Sequence, residues 1–315
     1  IFFRFFLWRD LWAFRGTRAS LPVFFIMDWL RSWVQTPEQR CTEAVQKILT
    51  AGELSDSEWS TFHGDVVKDE IPNSLIAGLP SLLEALQGRE AEGRSSPVTR
   101  CRLLTVISLA ATNPAHAAAL VENDAVKEVY AQWQKDTDVG IIVEVLAALR
   151  NLVLHPQGAE AFMTTDGLDR MFTELDRGAL SSKLEAKVHM LSAITNLAAR
   201  NEFAAFQIGR THVQPLINKF ASQLNRFAIS AAYNVMLWEN ARQIVKSAKG
   251  TEIKDALVKA LGDIVLESCE GKSIEYCTAA RMVQFVETDA SGEGYKPAKF
   301  PWQSQPIFSG GELEQ

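Results

Sequence analysis

From Pro37 onward, apolar residues recur at intervals of three and four positions, and strand-like alternation of apolar and polar residues is absent. This spacing is typical of amphipathic helices. Helix start signals accompany it: Thr36 precedes a first-turn proline at position 37, and Ser55 with Glu58 forms a capping box. The chain is therefore predicted to be all-α, with a further helix over about residues 75 to 87.

Segments of this helical pattern repeat along the chain. Three of them align on alanine, two residues, asparagine and then an aliphatic residue, with the asparagines at Asn151, Asn196 and Asn234. A degenerate earlier copy has Ser108 at that position, and a later copy around YCTAARMVQFVE has lost the asparagine. The spacings from Ser108 onward are 43, 45 and 38 residues. Such a period is typical of helical solenoids, in which each unit buries its apolar face against its neighbours.

The repeated segments resemble armadillo repeats. The resemblance lies in Ala-Leu-Arg-Asn-Leu at 148–152 and in the following stretch Ala-Phe-Met-Thr-Thr-Asp-Gly-Leu at 161–168, and it covers about residues 98 to 288. It implies a right-handed α-α superhelix, an armadillo-type helical solenoid of about four repeats, with N-terminal capping helices within 27–97. The glycines that fall where the family turns sharply between its first and second helices are Gly167, Gly209 and Gly250.

Two terminal segments do not follow the repeat. Residues 1–26 hold seven of the 17 phenylalanines and two of the eight tryptophans. They are interpreted either as an arginine-rich leader or as translated sequence upstream of a start at Met27, and the missing initiating methionine favours the second. Residues 289–315 are rich in glycine and proline and are predicted to form a flexible tail. Its Phe-Pro-Trp motif at 300–302 either caps the last repeat, which is the preferred interpretation, or docks a partner.

In armadillo proteins the third helix of each repeat lines a concave surface. The resemblance therefore places the repeat asparagines on that wall, where a side-chain amide can bond an extended peptide. Residues four positions before and after each asparagine share its helix face. The predicted protein-binding residues are Ala147, Asn151, His155, Ser192, Asn196, Arg200, Ser230, Asn234 and Trp238. Two alternatives stay open: the asparagines bond neighbouring helix ends, and Trp238 packs between repeats instead of forming a binding hot spot.

The resemblance also bears on function. Import receptors of this family pair the asparagine with a tryptophan four residues earlier, whereas those positions here hold Ala147, Ser192 and Ser230. The stacking slots for lysine side chains are therefore missing, which disfavours an import carrier. Three stretches, 138–152, 166–171 and 182–188, are similar to the Hsp-binding-protein class of armadillo nucleotide exchange factors.

That narrower resemblance implies a co-chaperone that clamps the nucleotide domain of heat shock protein 70, the seventy-kilodalton heat-shock chaperone, and promotes ADP release. Such a protein acts by binding an open state and performs no chemistry of its own. The alternative is a generic armadillo scaffold or adaptor that binds a peptide or protein in its concave groove.

Composition and charge narrow the class of partner. The chain has 315 residues, 47% of them apolar, and a formal net charge of -6. The acidic excess is spread along the chain, which disfavours binding to nucleic acid or to an anionic membrane. No stretch of residues 1–26 reaches the roughly 18 uninterrupted apolar residues of a membrane span. A protein partner is expected, the four dispersed cysteines indicate a cytoplasmic location, and a monomer is the expected state.

The sequence contains no motif that indicates an enzyme. Gly271, Lys272 and Ser273 lack the earlier glycine of a phosphate-binding loop, because position 266 is leucine. The five histidines are scattered without metal-ligand spacing. A helical solenoid also offers no nucleophile elbow of the G-x-S-x-G kind. The expectation is a non-enzymatic binding protein with no cofactor and no metal.

Overall fold

The computed structural model describes residues 36–51, 54–67, 72–87, 96–220, 226–261 and 274–287, and the regular structure in these ranges is helical. The α-helices in chain order are α1 (Pro37–Ala51), α2 (Asp56–Val67), α3 (Pro72–Gln87), α4 (Pro97–Ala110), α5 (Pro114–Glu122), α6 (Ala125–Lys135), α7 (Val139–Leu152), α8 (Pro156–Met163), α9 (Gly167–Asp176), α10 (Leu184–Arg200), α11 (Glu202–Gln207), α12 (Val213–Phe220), α13 (Arg226–Leu237), α14 (Glu239–Leu261) and α15 (Ile274–Glu287). A 3-10 turn, Ala179–Ser182, precedes α10, and a π-helical turn, Ile208–His212, joins α11 to α12. The all-α prediction is confirmed.

The first two helices start at the predicted capping signals. The backbone N–H of Gln39 donates to Thr36 Oγ1 over 3.3 Å, and the N–H of Thr36 donates to Gln39 Oε1 over 3.0 Å. The same reciprocal pair joins Ser55 and Glu58, with N–H to oxygen distances of 2.8 and 3.4 Å. Each pair satisfies two N–H groups that a helix start leaves without an intrahelical partner.

From α5 onward the helices follow a period of three. Helices α5, α6 and α7 form one unit, α8, α9 and α10 form the next, and α11, α12 and α13 form a third. The third helices stack in order: α4 contacts α7, α7 contacts α10, α10 contacts α13, and α13 contacts α15. We call α4, α7, α10 and α13 the inner helices.

One continuous apolar core runs through the stack. At the junction between the first two three-helix units, the Tyr130 ring meets the rings of Trp133 and Phe162 edge-on, with centroid distances of 5.9 and 6.1 Å. The Tyr130 hydroxyl donates to Asp166 Oδ1 over 2.5 Å, and the Arg170 guanidinium lies 4.6 Å from the centre of the Trp133 ring. Since each buried aromatic side chain contributes roughly 2 to 3 kcal/mol, this cluster ties neighbouring units together.

The three glycines predicted at sharp turns have different surroundings. Gly167 begins α9, and a Cβ atom there would lie 2.3 Å from the Phe162 ring, so the turn is confirmed and the close packing requires glycine. The expectation is wrong at Gly209, which lies within the π-helical turn, and at Gly250, which lies inside the uninterrupted helix α14. At Gly209 an added Cβ would approach Val235 at 3.1 Å, so this glycine allows close helix packing.

Some predicted features fall outside the described residues. These are the segment 1–26, the tail 289–315 and the Gly-Lys-Ser stretch at 271–273. The boundary between cap and repeats at residue 98 stays a prediction, and α4 begins beside it at Pro97. Within the described ranges, none of the helices combines the length and apolar character needed to cross a membrane.

Candidate functional site

The repeat asparagines lie near the C-terminal ends of three inner helices, and each side chain reaches the preceding inner helix. Each Nδ2 donates to a backbone carbonyl there: Asn151 to Ser108 (2.8 Å), Asn196 to Arg150 (3.0 Å) and Asn234 to Thr195 (3.1 Å). Asn151 also donates to the Ser108 hydroxyl over 3.0 Å. The acceptor is the residue at the repeat position itself for Asn151 and the residue one before that position for Asn196 and Asn234, so each bond links one repeat to the next at nearly the same place.

The positions four residues after the asparagines extend this pattern. A ring nitrogen of His155 lies 2.9 Å from the carbonyl oxygen of Ala111, which is the C-cap of α4. Trp238 Nε1 donates over 2.8 Å to the carbonyl of Ala198 in the last turn of α10. Both side chains bond carbonyls at helix ends, where a helix has no N–H of its own to offer. The equivalent residue between them, Arg200, is exposed to solvent.

The positions four residues before the asparagines are closed to a partner. Ala147, Ser192 and Ser230 are 8%, 1% and 3% exposed. Because they are buried, a partner in the groove has almost no access to these small side chains. In place of the tryptophan platforms of the import receptors, the chain therefore has small, buried residues.

The nine predicted binding residues divide into two groups. The structure buries five of them, Ala147, Asn151, Ser192, Ser230 and Asn234. The other four are exposed or partly exposed: His155, Asn196, Arg200 and Trp238. The asparagine amides and the Trp238 indole bond neighbouring inner helices, as the alternative interpretation expected, and the binding role of the set stays a prediction.

A buried polar pair that the sequence analysis did not select lies between α7 and α10. Arg150 is 4% exposed, and its Nε donates to Asn151 Oδ1 over 3.0 Å while its Nη1 lies 3.2 Å from His189 Nδ1. Because a guanidinium can only donate, His189 Nδ1 accepts and its proton sits on Nε2, 3.9 Å from Glu185 Oε1. Burial, followed by the Arg150 charge, lowers the pKa of His189 to about 4. Burial also lowers the pKa of Arg150.

An open cavity of about 460 Å³ lies between the N-terminal halves of α7 and α10. It is lined by Val139, Gly140, Val143, Glu144, Lys183, Leu184 and Glu185. Thr105 on α4 donates its hydroxyl to Glu144 Oε2 over 2.9 Å, which orients that carboxylate. Burial raises the pKa of Glu144; the Thr105 bond opposes this rise, and the Glu185 charge adds to it.

The sequence does contain a signal for this cavity. Glu144 lies seven residues before Asn151, which is about two helical turns, and so it occupies the same face of α7. Glu144 lies about one helical turn beyond Ala147, so the predicted binding residues, which were taken four positions from each asparagine, do not include it. The sequence gives less indication that Leu184 lines the cavity, because a leucine is usually buried and its 70% exposure depends on how α10 packs.

Solved structures of designed armadillo repeat proteins superpose on this chain. The designed protein YIII(Dq)4CqI matches with a TM-score of 0.58 and 18% identity, over 78% of this chain and 99% of its own. The chain has the armadillo fold. A second armadillo protein, YIII(Dq.V1)4CPAF in complex with peptide (KR)4, matches at 16% identity with a TM-score of 0.57, again over 78% and 99%. Computationally designed armadillo repeat proteins for modular peptide recognition give the same values.

The armadillo assignment confirms the predicted fold class, a right-handed helical solenoid of about four repeats with N-terminal helices before them. No protein-family model and no curated protein matches the sequence. The structural matches concern designed proteins at 16 to 18% identity, so they establish the fold and lend no support to the narrower resemblance to exchange factors.

Proposed function

We propose that the chain is a non-enzymatic armadillo scaffold that binds a peptide or a protein on the surface of its inner helices. The observation that carries this proposal is the open cavity of about 460 Å³ between the N-terminal halves of α7 and α10. A preformed concave site on rigid elements lowers the ordering cost of binding. Two of the structural neighbours are described as recognising peptides, one of them in complex with peptide (KR)4, which supports the same use of this fold.

The proposal is tested by selecting ligands for the full chain from a random twelve-residue peptide library displayed on phage. Selected peptides are synthesised, their dissociation constants are measured by fluorescence anisotropy, and the bound region is mapped by hydrogen exchange. We expect micromolar binders that protect amides of α7 and α10. The absence of any selected binder, or protection confined to α8 and α9, would contradict the proposal.

Nucleotide exchange on heat shock protein 70 is a narrower version of the same proposal, and it rests on the similarity of 138–152, 166–171 and 182–188 to the exchange factors. The decisive measurement is stopped-flow release of a fluorescent ADP analogue from the chaperone with and without the full chain. Acceleration by about tenfold, or about 1.4 kcal/mol in the barrier, is the expected effect of an exchange factor. Release at an unchanged rate, with no complex formed, eliminates this version. The cytoplasmic location and the monomeric state remain predictions.

A further inference from the structure

Phe203 presents an aromatic ring to solvent in the first turn of α11. Among the described residues, four large apolar side chains are exposed, and Phe203, which is 56% exposed, is the aromatic one. Trp238, between α13 and α14, is partly exposed. Removing aromatic surface from water is favourable, so a segment that covers both rings would gain binding energy.

Both rings lie at the edge of the solenoid where the inner helices end. Trp238 Nε1 donates over 2.8 Å to the carbonyl of Ala198 in the last turn of α10, and Asn240 Nδ2 donates over 3.0 Å to Glu202 Oε1. These bonds bring the starts of α11 and α14 together beside the ends of α10 and α13. We call this surface the aromatic edge and define it by Arg200, Glu202, Phe203 and Trp238.

Helix α15 ends at the same edge. The Phe285 ring, two residues before the end of α15, lies 6.0 Å from the Tyr233 ring in the last turns of α13. The Arg242 guanidinium, in the first turn of α14, lies 5.6 Å from the centre of the Phe285 ring. Helix α13 contacts both α10 and α15. Since neighbouring packed helices are about 8 to 10 Å apart, the chain leaves α15 roughly 16 to 20 Å from the end of α10.

The aromatic motif that follows α15 is tethered within reach of this edge. The 12 residues 288–299 separate α15 from the Phe-Pro-Trp motif at 300–302. A random-coil linker of that length has a root-mean-square end-to-end distance of roughly 17 to 21 Å, which matches the span to the edge. The effective concentration of a tethered segment is highest at such a match. Pro301 also restricts the backbone between the two rings, which lowers the entropy cost of ordering them.

Charge is complementary between the edge and the motif. Glu202 and Arg200 are exposed, and in the part of the chain that the structure describes neither of them forms an ion pair. Lys299 directly precedes Phe300, as Glu202 directly precedes Phe203. A lysine and a glutamate that meet in this way fix the orientation of two apolar surfaces more than they add affinity. Arg200 offers a cation to the face of an aromatic ring.

From these observations we propose that the aromatic edge is the docking surface for the Lys-Phe-Pro-Trp segment at 299–302 of the chain's own tail. The two rings of this segment cover Phe203 and Trp238, and its lysine pairs with Glu202. A partner that binds this edge displaces the tail. The edge lies at the C-terminal ends of the inner helices, whereas the cavity lies between the N-terminal halves of α7 and α10, so the inference does not depend on the proposed scaffold function.

The test uses the full chain with the photoreactive residue p-benzoylphenylalanine in place of Phe203. Irradiation at low micromolar concentration is followed by mass spectrometry of the crosslinked peptides, and an equal mixture of isotope-labelled and unlabelled chains separates crosslinks within a chain from those between chains. We expect crosslinks within one chain to residues 300–302. Their absence would overturn the inference. Crosslinks that form mainly between chains would overturn it as well, because the edge would then bind a second copy.

The matched control carries the same probe in place of Val98, which is 54% exposed at the other end of the stack of inner helices. It reports random collisions of the tail, and its crosslinks to 300–302 are expected to be at least about fivefold fewer. Trp302→Ala is expected to lower the yield from the probe at position 203 by about fivefold, and Phe308→Ala by less than about twofold. Equal yields from the two probe positions, or equal effects of the two alanine variants, would overturn the inference.

A charge exchange tests how the segment is oriented. Lys299→Glu is expected to lower the crosslinking yield at position 203 by about threefold, because it places a second carboxylate beside Glu202. Adding Glu202→Lys to that variant is expected to restore the yield. Glu202 is exposed, so its replacement leaves the fold intact. An unchanged yield in Lys299→Glu, or no recovery in the double variant, would overturn the assigned pairing.

Discussion

At the scale of single residues, the repeat asparagines act as connectors between repeats. Asn151 shows this most fully, because its amide donates to the Ser108 carbonyl and hydroxyl while its Oδ1 accepts from Arg150 Nε. Unsatisfied buried polar groups are costly, so removal of such a side chain affects several partners at once. A loss of partner binding in an asparagine variant is therefore interpretable only beside a measurement of its stability.

Asn151→Ala is expected to lower the free energy of unfolding by about 1 to 3 kcal/mol, since the Ser108 carbonyl and the Arg150 Nε lose their partner in a buried place. Urea denaturation followed by circular dichroism measures this change. The matched control is Asn240→Ala, because Asn240 bonds Glu202 at an exposed site over 3.0 Å. If the Asn151 variant were as stable as the Asn240 variant, the hydrogen bonds of Asn151 would contribute little to the free energy of unfolding.

The stability of the protein is expected to fall between neutral and mildly acidic pH because of His189. Its pKa is about 4 in the folded chain and about 6.5 when unfolded, so the unfolded state takes up the proton first as the pH drops. The contribution of His189 to the free energy of unfolding is therefore present above about pH 6.5 and is lost as the pH falls toward 4. The loss at pH 5 is expected to be roughly 1 to 2 kcal/mol.

Urea denaturation at pH 7 and pH 5 measures this contribution when the wild type is compared with His189→Gln. The glutamine side chain keeps an acceptor for Arg150 and removes the titrating group, so the variant is expected to lose less stability on acidification. His63→Gln, at an exposed position on α2, serves as the control and keeps the wild-type difference. An identical pH dependence in His189→Gln would contradict the assignment.

At the scale of helices, the units differ in whether a turn separates their first and second helices. The unit ending in α10 has separate first and second helices with Gly167 at the start of the second. In the next unit a π-helical turn joins α11 to α12. Further on, α14 is one uninterrupted helix where the pattern would have a separate first and second helix. A π-helical turn inserts one residue into the hydrogen-bond ladder, so the chain changes direction less than at a true turn.

Gly167→Ala is expected to destabilise the protein by about 1 to 3 kcal/mol, because the added methyl group would lie 2.3 Å from the buried Phe162 ring. Thermal unfolding followed by circular dichroism detects the change. Gly64→Ala is the matched control: its Cβ meets nothing within 4 Å inside α2, and alanine is expected to stabilise that helix by about 0.5 to 1 kcal/mol. Equal melting temperatures for the two variants would contradict the packing role of Gly167.

At the scale of the whole molecule, the stack behaves as a row of units that contact only their neighbours. Helices α7 and α10 each have an inner helix on both sides, whereas α1 lies near one end of the described solenoid and packs mainly on α3. In such a row, interface energy is greatest for units with two neighbours. Local opening is therefore expected to begin at the ends.

Native-state hydrogen exchange is expected to reveal this gradient. Amides of α7 and α10 should exchange only through near-global unfolding, and amides of α1 should exchange through local opening at a lower free energy. Mass spectrometry of peptides from each helix at low denaturant measures both. Equal protection of α1 and α7 would show that the chain opens as one cooperative unit.

The sequence by itself determined the helical class, the starts of α1 and α2, and the repeat of the inner helices. Capping boxes and a spacing of three and four residues are local properties, because a helix forms its hydrogen bonds within a few residues. For this reason Thr36, Ser55 and the repeat asparagines could be found in the printed sequence, and the armadillo fold followed from their order.

The tertiary structure alone decided what the side chains of those repeats do. The asparagine, histidine and tryptophan bonds join residues 39 to 46 positions apart, and the cavity at Glu144 depends on how α7 and α10 pack. Helix periodicity tells which residues share a face and leaves open whether a neighbouring helix covers that face. Five of the nine predicted binding residues are covered by such packing, and Glu144 and Leu184 stand where the packing opens.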